Sequence, residues 1–197
     1  MRFTSLISLG TVYCAITIQS QELQLSQRPI MNEPIPALSD PSSVSADVIL
    51  SDVLGRDRSM NIFAGLTRDI SSITQRLEDK SQNTTILAPV NSAITGLPRK
   101  PWEDPEDYDN LGATAYDGEE GEARAHRNIR RFVEAHIVPN SPFKEGEKMT
   151  TLAGGQIWWE MKDGKKVIQP GNIEVSSVAS QVFNGQVWIL KNVRNYA

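Results

Sequence analysis

Apolar residues recur at helical spacing in two separate parts of the chain. In the first part, residues 62–77 place an apolar side chain every three or four positions, which predicts one amphipathic α-helix of about four turns. Ser59 precedes this helix and is a candidate N-cap. In the second part, residues 122–137, the apolar side chains fall on one face and the arginines on the other. The pattern predicts a second amphipathic helix there.

Short β-rich segments lie between and after these helices. Residues 84–88 predict a strand, and Asn91 is placed to cap a brief helix behind it. Two hairpins are predicted in the C-terminal third, one turning at residues 162–165 and one at Asn184-Gly185. The alternation slips at residues 176–177, which indicates either a bulge or a break between two strands. Helices followed by hairpins favour an α+β domain.

The N-terminal residues have the features of a targeting segment. Residues 1–20 combine Arg2 with a mostly apolar stretch that turns polar at residues 19–21, which predicts a secretory signal peptide cleaved after Ser20. The stretch is too short and too interrupted for a membrane anchor, so we expect no anchor in the mature chain. Cleavage would remove Cys14, the only cysteine, and would exclude thiol chemistry. Residues 21–46, rich in Pro, Ser and Gln, predict a flexible leader before a domain at 47–197.

Acidic residues accumulate at about 99–121 and interrupt the periodic pattern. We interpret this stretch as an exposed acidic loop insertion that is dispensable for folding. It begins like a calcium loop, but Leu111 and Gly118 stand at ligand positions, so we expect no metal and no other cofactor. The formal net charge is −4, so we expect the chain to lack the basic surface that nucleic-acid binding requires.

Four segments resemble, in order, the signatures of fasciclin-type domains. They are Thr-Ile-Leu-Ala-Pro-Val-Asn-Ser-Ala-Ile at 85–94, Phe-Val-Glu-Ala-His-Ile-Val-Pro at 132–139, Thr-Leu-Ala-Gly-Gly at 151–155 and Val-Phe-Asn-Gly-Gln-Val-Trp-Ile-Leu at 182–190. The resemblance implies a wedge of two small, mainly antiparallel β-sheets flanked by α-helices. It also implies adhesion, wall association or another protein-binding task without catalysis. The chain looks most similar to single-domain fungal members, some of them vacuolar.

The histidines do not form a catalytic constellation. His126 and His136 are the only two, ten positions apart on roughly opposite faces of one predicted helix. Catalysis by either would need a nucleophile or a metal-binding partner, and we identify no nucleophile–base pair. We therefore predict no enzyme. We assign structural roles to His136, on the apolar helix face, and to Asn91, Asn184 and Gly185.

Aromatic residues are the candidate interface. Trp158 and Trp159 are adjacent in a predicted strand, so their side chains should point to opposite faces. One of them, together with Trp102 beside the acidic insertion, would suit an interface anchor. The alternative is that the domain's own helices or leader cover both strand tryptophans. Asn83 begins an Asn-Thr-Thr sequon and is a candidate glycosylation site.

These observations predict a non-catalytic binding module of the secretory pathway. The expected partner is an unidentified protein or a component of the cell wall or matrix, met in the vacuole lumen or in the extracellular space. The alternative is a carrier that holds a small lipid or glycan between sheets and helices. A large apolar cavity would favour the carrier, and an exposed aromatic patch would favour the binding module.

Overall fold

The computed structural model describes residues 48–196. The predicted signal peptide and leader lie outside the described residues. The helices are α1 (Leu50–Val53), α2 (Asn61–Arg68), α3 (Ser71–Glu78), α4 (Asn91–Thr95), α5 (Pro105–Leu111) and α6 (Gly118–Ala135). The strands are β1 (Thr84–Pro89), β2 (Ile137–Val138), β3 (Met149–Thr150), β4 (Gln156–Lys162), β5 (Lys165–Gln169), β6 (Ile173–Val182) and β7 (Gly185–Leu190). Short 3₁₀ turns occupy Arg58–Met60 and Gly112–Thr114.

The strands form one mixed sheet in the order β2-β1-β7-β6-β5-β4-β3. Neighbouring strands are antiparallel except β1 and β7, which run parallel from Thr84↔Gly185 to Pro89↔Leu190. The α+β class is confirmed. The expectation of two small, mainly antiparallel sheets is not, because β7 bonds to β1 on one edge and to β6 on the other and so joins the two halves.

The first predicted helix is two helices. Its apolar spacing continues through Ile70, but that residue is extended, with φ −114° and ψ 99°, between the end of α2 and the start of α3. The chain turns there, and the Ile70 N–H donates to the carbonyl of Thr67. Ile70 is buried, so the apolar pattern is satisfied although the helix is broken. Periodicity alone therefore gave the correct buried face and the wrong element count.

The core has two parts, which lie on either side of β1 and β7. The first joins the helices to the sheet around Phe63, Phe132 and Ile86, all with 0% of their surface exposed. The second lies in the hairpin half around Trp188 and Ile157. Burying a side chain of this size stabilises a fold by about 1.5–3 kcal/mol. These two clusters hold the helical half and the hairpin half on one sheet.

The predicted hairpins form, and the β6 irregularity is a pair of bulges. Asp163 and Gly164 both have positive φ, 50° and 74°, as the two-residue turn between β4 and β5 requires. The β6–β7 register shifts between Val175 and Ser177 and again between Val178 and Ser180. Since β6 continues through both shifts, the sequence slip at 176–177 is a bulge and not a strand break.

Candidate functional site

His136 is fully buried at the end of α6. Its Nδ1 lies 2.7 Å from the carbonyl oxygen of Phe132, so Nδ1 donates, and its Nε2 accepts the Arg194 backbone N–H at 3.2 Å. Burial lowers the pKa of His136 to about 4, against the pull of the Phe132 hydrogen bond. The imidazole is therefore neutral, with both nitrogens engaged by backbone groups. This geometry connects α6 to the segment after β7.

Asn184 connects three elements from the β6–β7 turn. Its Oδ1 accepts the Leu50 N–H at the start of α1, at 2.9 Å. Its Nδ2 donates to the carbonyls of Leu77 and Asp79 at the end of α3, at 2.9 and 3.2 Å. A buried amide with these partners satisfies helix-end groups that have no partner within their own helices. The next residue, Gly185, allows the turn to approach β1 closely.

Asn91 caps a different helix from the one predicted. It is the first residue of α4, but its Oδ1 accepts the Ile62 N–H in the first turn of α2, at 3.0 Å. Its Nδ2 donates to the carbonyl of Arg58 at 2.7 Å. Asn91 is thus a tertiary cap. The predicted N-cap of the first helix, Ser59, instead donates its N–H to Asp57 in the preceding 3₁₀ turn.

The acidic insertion contains helix α5 and lies on the arginine-rich face of α6, so its interpretation as a loop is wrong, although none of the α5 residues is buried. Asp104 caps α5 through the Glu106 N–H and forms an ion pair with Arg131. Asn128, buried in α6, donates to Asp107 at 3.0 Å. This hydrogen bond is the main reason that the pKa of Asp107 lies below its usual range. Asp104 and Asp107 of the insertion are therefore held by Arg131 and Asn128 of α6.

Trp102 is presented at the base of this insertion. Its side chain is 40% exposed, and its carbonyl accepts the Asn128 amide at 3.0 Å. The backbone that carries the ring is thus tied to α6. A cavity of about 600 Å³ opens at the neighbouring residues 103–105, between the segment after α4, α6 and the end of the described chain, and Trp102 itself does not line it. Its lining residues are Leu97, Pro98, Arg99, Glu103, Asp104, Pro105, Asn128, Arg131, Asn195 and Tyr196.

The two tryptophans of β4 are both half-buried. Trp159 donates its indole N–H to the carbonyl of Phe143 at 2.8 Å and meets Trp188 edge-on at 5.8 Å. Trp158 lies on the other face of β4, where Lys148 Nζ is 5.5 Å from its ring. Trp102, at the α6 side, belongs to a different surface. The three tryptophans therefore do not form one patch.

Lys166 and Arg194 are structural residues that sequence reasoning missed. Lys166 Nζ lies 4.0 Å from the Trp159 ring centre and 3.9 Å from that of Trp188, and burial lowers its pKa. The two-residue turn sets a register that makes Lys166 a diagonal neighbour of Trp159, so the contact was open to prediction.

Arg194 is 6% exposed and donates to the carbonyl of Ala135 at 2.8 Å. Its Nη1 and Nη2 lie within 3.5 Å of the Cβ position that Gly155 lacks, so a larger residue there would crowd the guanidinium. The Nε of Arg194 and the Oγ1 of Thr151 are buried without a hydrogen-bond partner among residues 48–196. No local pattern around position 194 signals this burial.

Asn83 is exposed immediately before β1. The hydroxyl of Thr85, the third residue of the sequon, is buried and donates to the carbonyl of Asn140 at 2.7 Å. Of the helices in the described part of the chain, none has the length and apolar character needed to span a membrane. A search of residues 48–196 gave no cluster of three or more metal-ligating side chains.

Relatives of this chain are found by sequence. A scan against models of protein families found no match. A FAS1 domain-containing protein of Neurospora crassa is 54% identical over 191 residues, covering 90% of this chain and 84% of the relative. A second, from Aspergillus fumigatus, is 53% identical over 171 residues, covering 86% and 73%.

A solved structure shares the fold. It is that of a FAS1 domain pair from the insect cell adhesion molecule fasciclin I, with a TM-score of 0.52 and 14% identity. The match covers 76% of this chain and 51% of that one, and at this identity it shows the fold alone. The architecture is that of a FAS1 domain, an α+β unit whose buried polar residues join its elements. With the sequence relatives, this establishes that the chain belongs to the family of FAS1 domain-containing proteins.

Proposed function

We propose that this protein is a non-catalytic, protein-binding module of the secretory pathway. The partner is a protein or a component of the cell wall or matrix, met in the vacuole lumen or outside the cell. Membership of the FAS1 family supports binding, and the structural neighbour is described as a cell adhesion molecule. Residues 1–20 and the exposed Asn83 support entry into the secretory pathway.

The observation that carries the binding role is the fixed, exposed ring of Trp102. Aromatic residues that are exposed in the free protein and held on an ordered backbone are frequent anchors of interfaces. The Asn128 hydrogen bond to the Trp102 carbonyl and the Asp104–Arg131 ion pair two residues later hold the backbone at this position. The cavity-lining residues 97–99 and 103–105 flank the ring in the chain. An anchor and an adjoining recess together suit a protein surface.

The polar groups of the domain support a role without catalysis. His136 would be the natural base, yet both of its nitrogens are engaged by backbone groups and its pKa lies at about 4. Its Nε2, the nitrogen that could accept a proton, is buried and already accepts the Arg194 N–H, so a substrate cannot reach it. The 600 Å³ cavity is not the site that a carrier between sheets and helices would need, since none of its ten lining residues belongs to a strand.

The test compares Trp102→Ala with Leu111→Ala. Leu111 lies in the same insertion and is similarly exposed, at 45% against 40% for Trp102, so it is a matched control. Each tagged variant is expressed at native level, and partners are captured after mild cross-linking. We expect Trp102→Ala to lose at least tenfold of the captured partner while Leu111→Ala keeps it. Equal capture by both variants would exclude Trp102 as the anchor.

The compartment is tested on the same tagged chain. N-terminal sequencing should start near Gln21, and endoglycosidase treatment should shift the mass of the wild type but not of Asn83→Gln. A mature chain that retains Met1 would contradict entry through the secretory pathway.

A further inference from the structure

Strand β6 extends beyond the strand that covers it. It spans ten residues, but β5 pairs with it only at Val167↔Glu174 and Ile168↔Ile173. From Val175 to Val182 its pairing is with β7 on the other side. On the side of a strand that has no neighbouring strand, backbone N–H and C=O groups are left without partners in the sheet. The stretch at 176–182 is therefore an open edge in the middle of the sheet order.

The open edge lacks charged side chains and proline, two of the features that block strand addition. Residues 176–183 read Ser-Ser-Val-Ala-Ser-Gln-Val-Phe, with no charged residue, no proline and no glycine. Val178 and Phe183 are 46% and 48% exposed. Uncharged segments with β-branched residues are those that pair readily with another chain. The two bulges of β6 twist the edge, so it suits a short segment better than a long flat strand.

A groove runs along this edge. A cavity of about 450 Å³ is lined on one side by Ala179 and Ser180 and on the other by Val53 and residues 56–58. The chain itself closes one end, since the Phe183 N–H donates to the carbonyl of Val48 at 3.2 Å. The accessible part of the edge is therefore about five residues long, from Ser177 to Gln181.

The outer wall of the groove carries two arginines and one aspartate, a formal net charge of +1. The side chain of Arg58 makes no hydrogen bond or ion pair with any residue between 48 and 196, and Arg56 uses only its Nε, on the Asp52 carbonyl at 3.1 Å. The Asp57 carboxylate between them accepts the Ser59 N–H at 2.8 Å. Two guanidinium groups are thus left to meet an incoming chain, and guanidinium groups bind carboxylates through paired hydrogen bonds.

We propose that the β6 edge binds a short, extended, acidic peptide segment of a partner protein, which adds to the sheet as a strand beside residues 177–181. This rests on the proposed protein-binding function and names a second surface for it, separate from Trp102. Backbone hydrogen bonds supply the affinity, and Arg56 and Arg58 select acidic side chains. A second copy of this chain is disfavoured because pairing β6 with itself would bring two arginine pairs into one interface, where they repel.

The experiment selects ten-residue peptides from a random displayed library on the full chain. We expect enriched sequences to place Asp or Glu among β-branched residues, without proline. Synthetic copies are then titrated by fluorescence anisotropy. Arg56→Glu/Arg58→Glu should weaken binding at least tenfold, whereas Lys80→Glu/Lys144→Glu, which makes the same charge change at exposed sites elsewhere, should not. Val178→Lys, which puts a charge on the edge, should also abolish binding.

A direct readout locates the bound peptide. At saturation, the backbone amides of residues 177–181 should become protected from hydrogen exchange, whereas those of α5 should not change. A library that enriches no acidic sequence, or peptides that still bind Val178→Lys, would overturn the proposal. These outcomes differ from a failure of the Trp102 capture test, because the selection needs neither the native partner nor its compartment.

Discussion

Gly185 allows β7 to lie close to β1 because it has no side chain. A Cβ at this position would lie 1.8 Å from the carbonyl oxygen of Thr84 and 2.8 Å from Leu50 Cδ1. The φ of Gly185 is 154°, which side-chain-bearing residues rarely adopt. Gly185 therefore allows the parallel pairing of β1 and β7 to begin at the turn itself.

We expect Gly185→Ala to destabilise the domain by about 3 kcal/mol, because neither strand backbone can move without loss of pairing. Gly65→Ala is the matched control. Gly65 lies inside α2 with no atom within 4 Å of the missing Cβ, so the same change should stabilise by about 0.5–1 kcal/mol through helix propensity. Urea unfolding of the two variants should thus give opposite signs. A neutral Gly185→Ala would show that the β1–β7 contact is less tight than described.

His136 makes stability depend on pH in a definite window. Its folded pKa of about 4 lies below the ordinary value of 6.5, so only the unfolded chain takes up the proton between these values. The free energy of unfolding has its full His136 contribution above pH 6.5. Between pH 6.5 and pH 4 it falls by about 1.4 kcal/mol per pH unit, or about 3 kcal/mol in total. The measurement is the free energy of unfolding from pH 7 to pH 4.

Two further measurements assign this pH dependence to His136. Replacement of the exposed His126 by Gln should keep the slope, and His136→Gln should reduce it. If His136→Gln does not fold, NMR titration of the wild-type ring should still show a midpoint near 4. A midpoint near 6.5 would contradict the buried neutral imidazole.

At the scale of elements, the contacts of the acidic insertion predict that deleting it destabilises the domain. A solvated loop could be removed at little cost, since closure entropy varies slowly with length. Tyr116 instead accepts the Asp104 N–H at 2.6 Å and donates to Asp107 at 2.9 Å. Arg124 donates to the carbonyl of Ala115, which is fully buried.

Replacing residues 104–118 by a Gly-Ser linker should therefore lower the free energy of unfolding by about 2 kcal/mol or more, because Asn128 loses its bonds to Asp107 and Tyr116 and Arg131 loses Asp104. Thermal melting with and without the segment measures this. As a control, Tyr108→Phe removes a single hydrogen bond, to Glu103, and should cost well under half as much. A deletion with wild-type stability would restore the interpretation as a dispensable loop.

The elements that sequence could predict are those fixed by local pattern. The Asp163-Gly164 turn, the apolar face of α6 and the short strand β1 follow from residues close to each other in the chain. The break at Ile70 and the helix capped by Asn91 depend on distant segments, and periodicity carries no information about either. The acidic insertion was misread because its partners are the arginines of α6, which local composition does not reveal.

At the scale of the whole molecule, the segment from the β6–β7 turn onward connects the two halves. Asn184 bonds to α1 and α3, β7 pairs with both β1 and β6, and Arg194 bonds to His136 and Ala135. These bonds are mostly buried, so they satisfy groups that would otherwise lose water at a cost of about 1–3 kcal/mol each. A single stretch of chain thus holds the helices to the sheet.

The parallel pairing of β1 with β7 has a consequence for the order of events during synthesis. Its partners, such as Ile86 and Val187, are separated by about one hundred positions in the chain, and contacts between such distant positions slow folding. The ribosome adds about 5–20 residues per second, so β1 must wait several seconds for its partner. Until the sheet closes, the Thr85 hydroxyl is free of the bond to Asn140 that buries it in the folded domain. On the proposed secretory route, this delay would leave the whole Asn83 sequon open to a glycosyltransferase before folding covers its threonine.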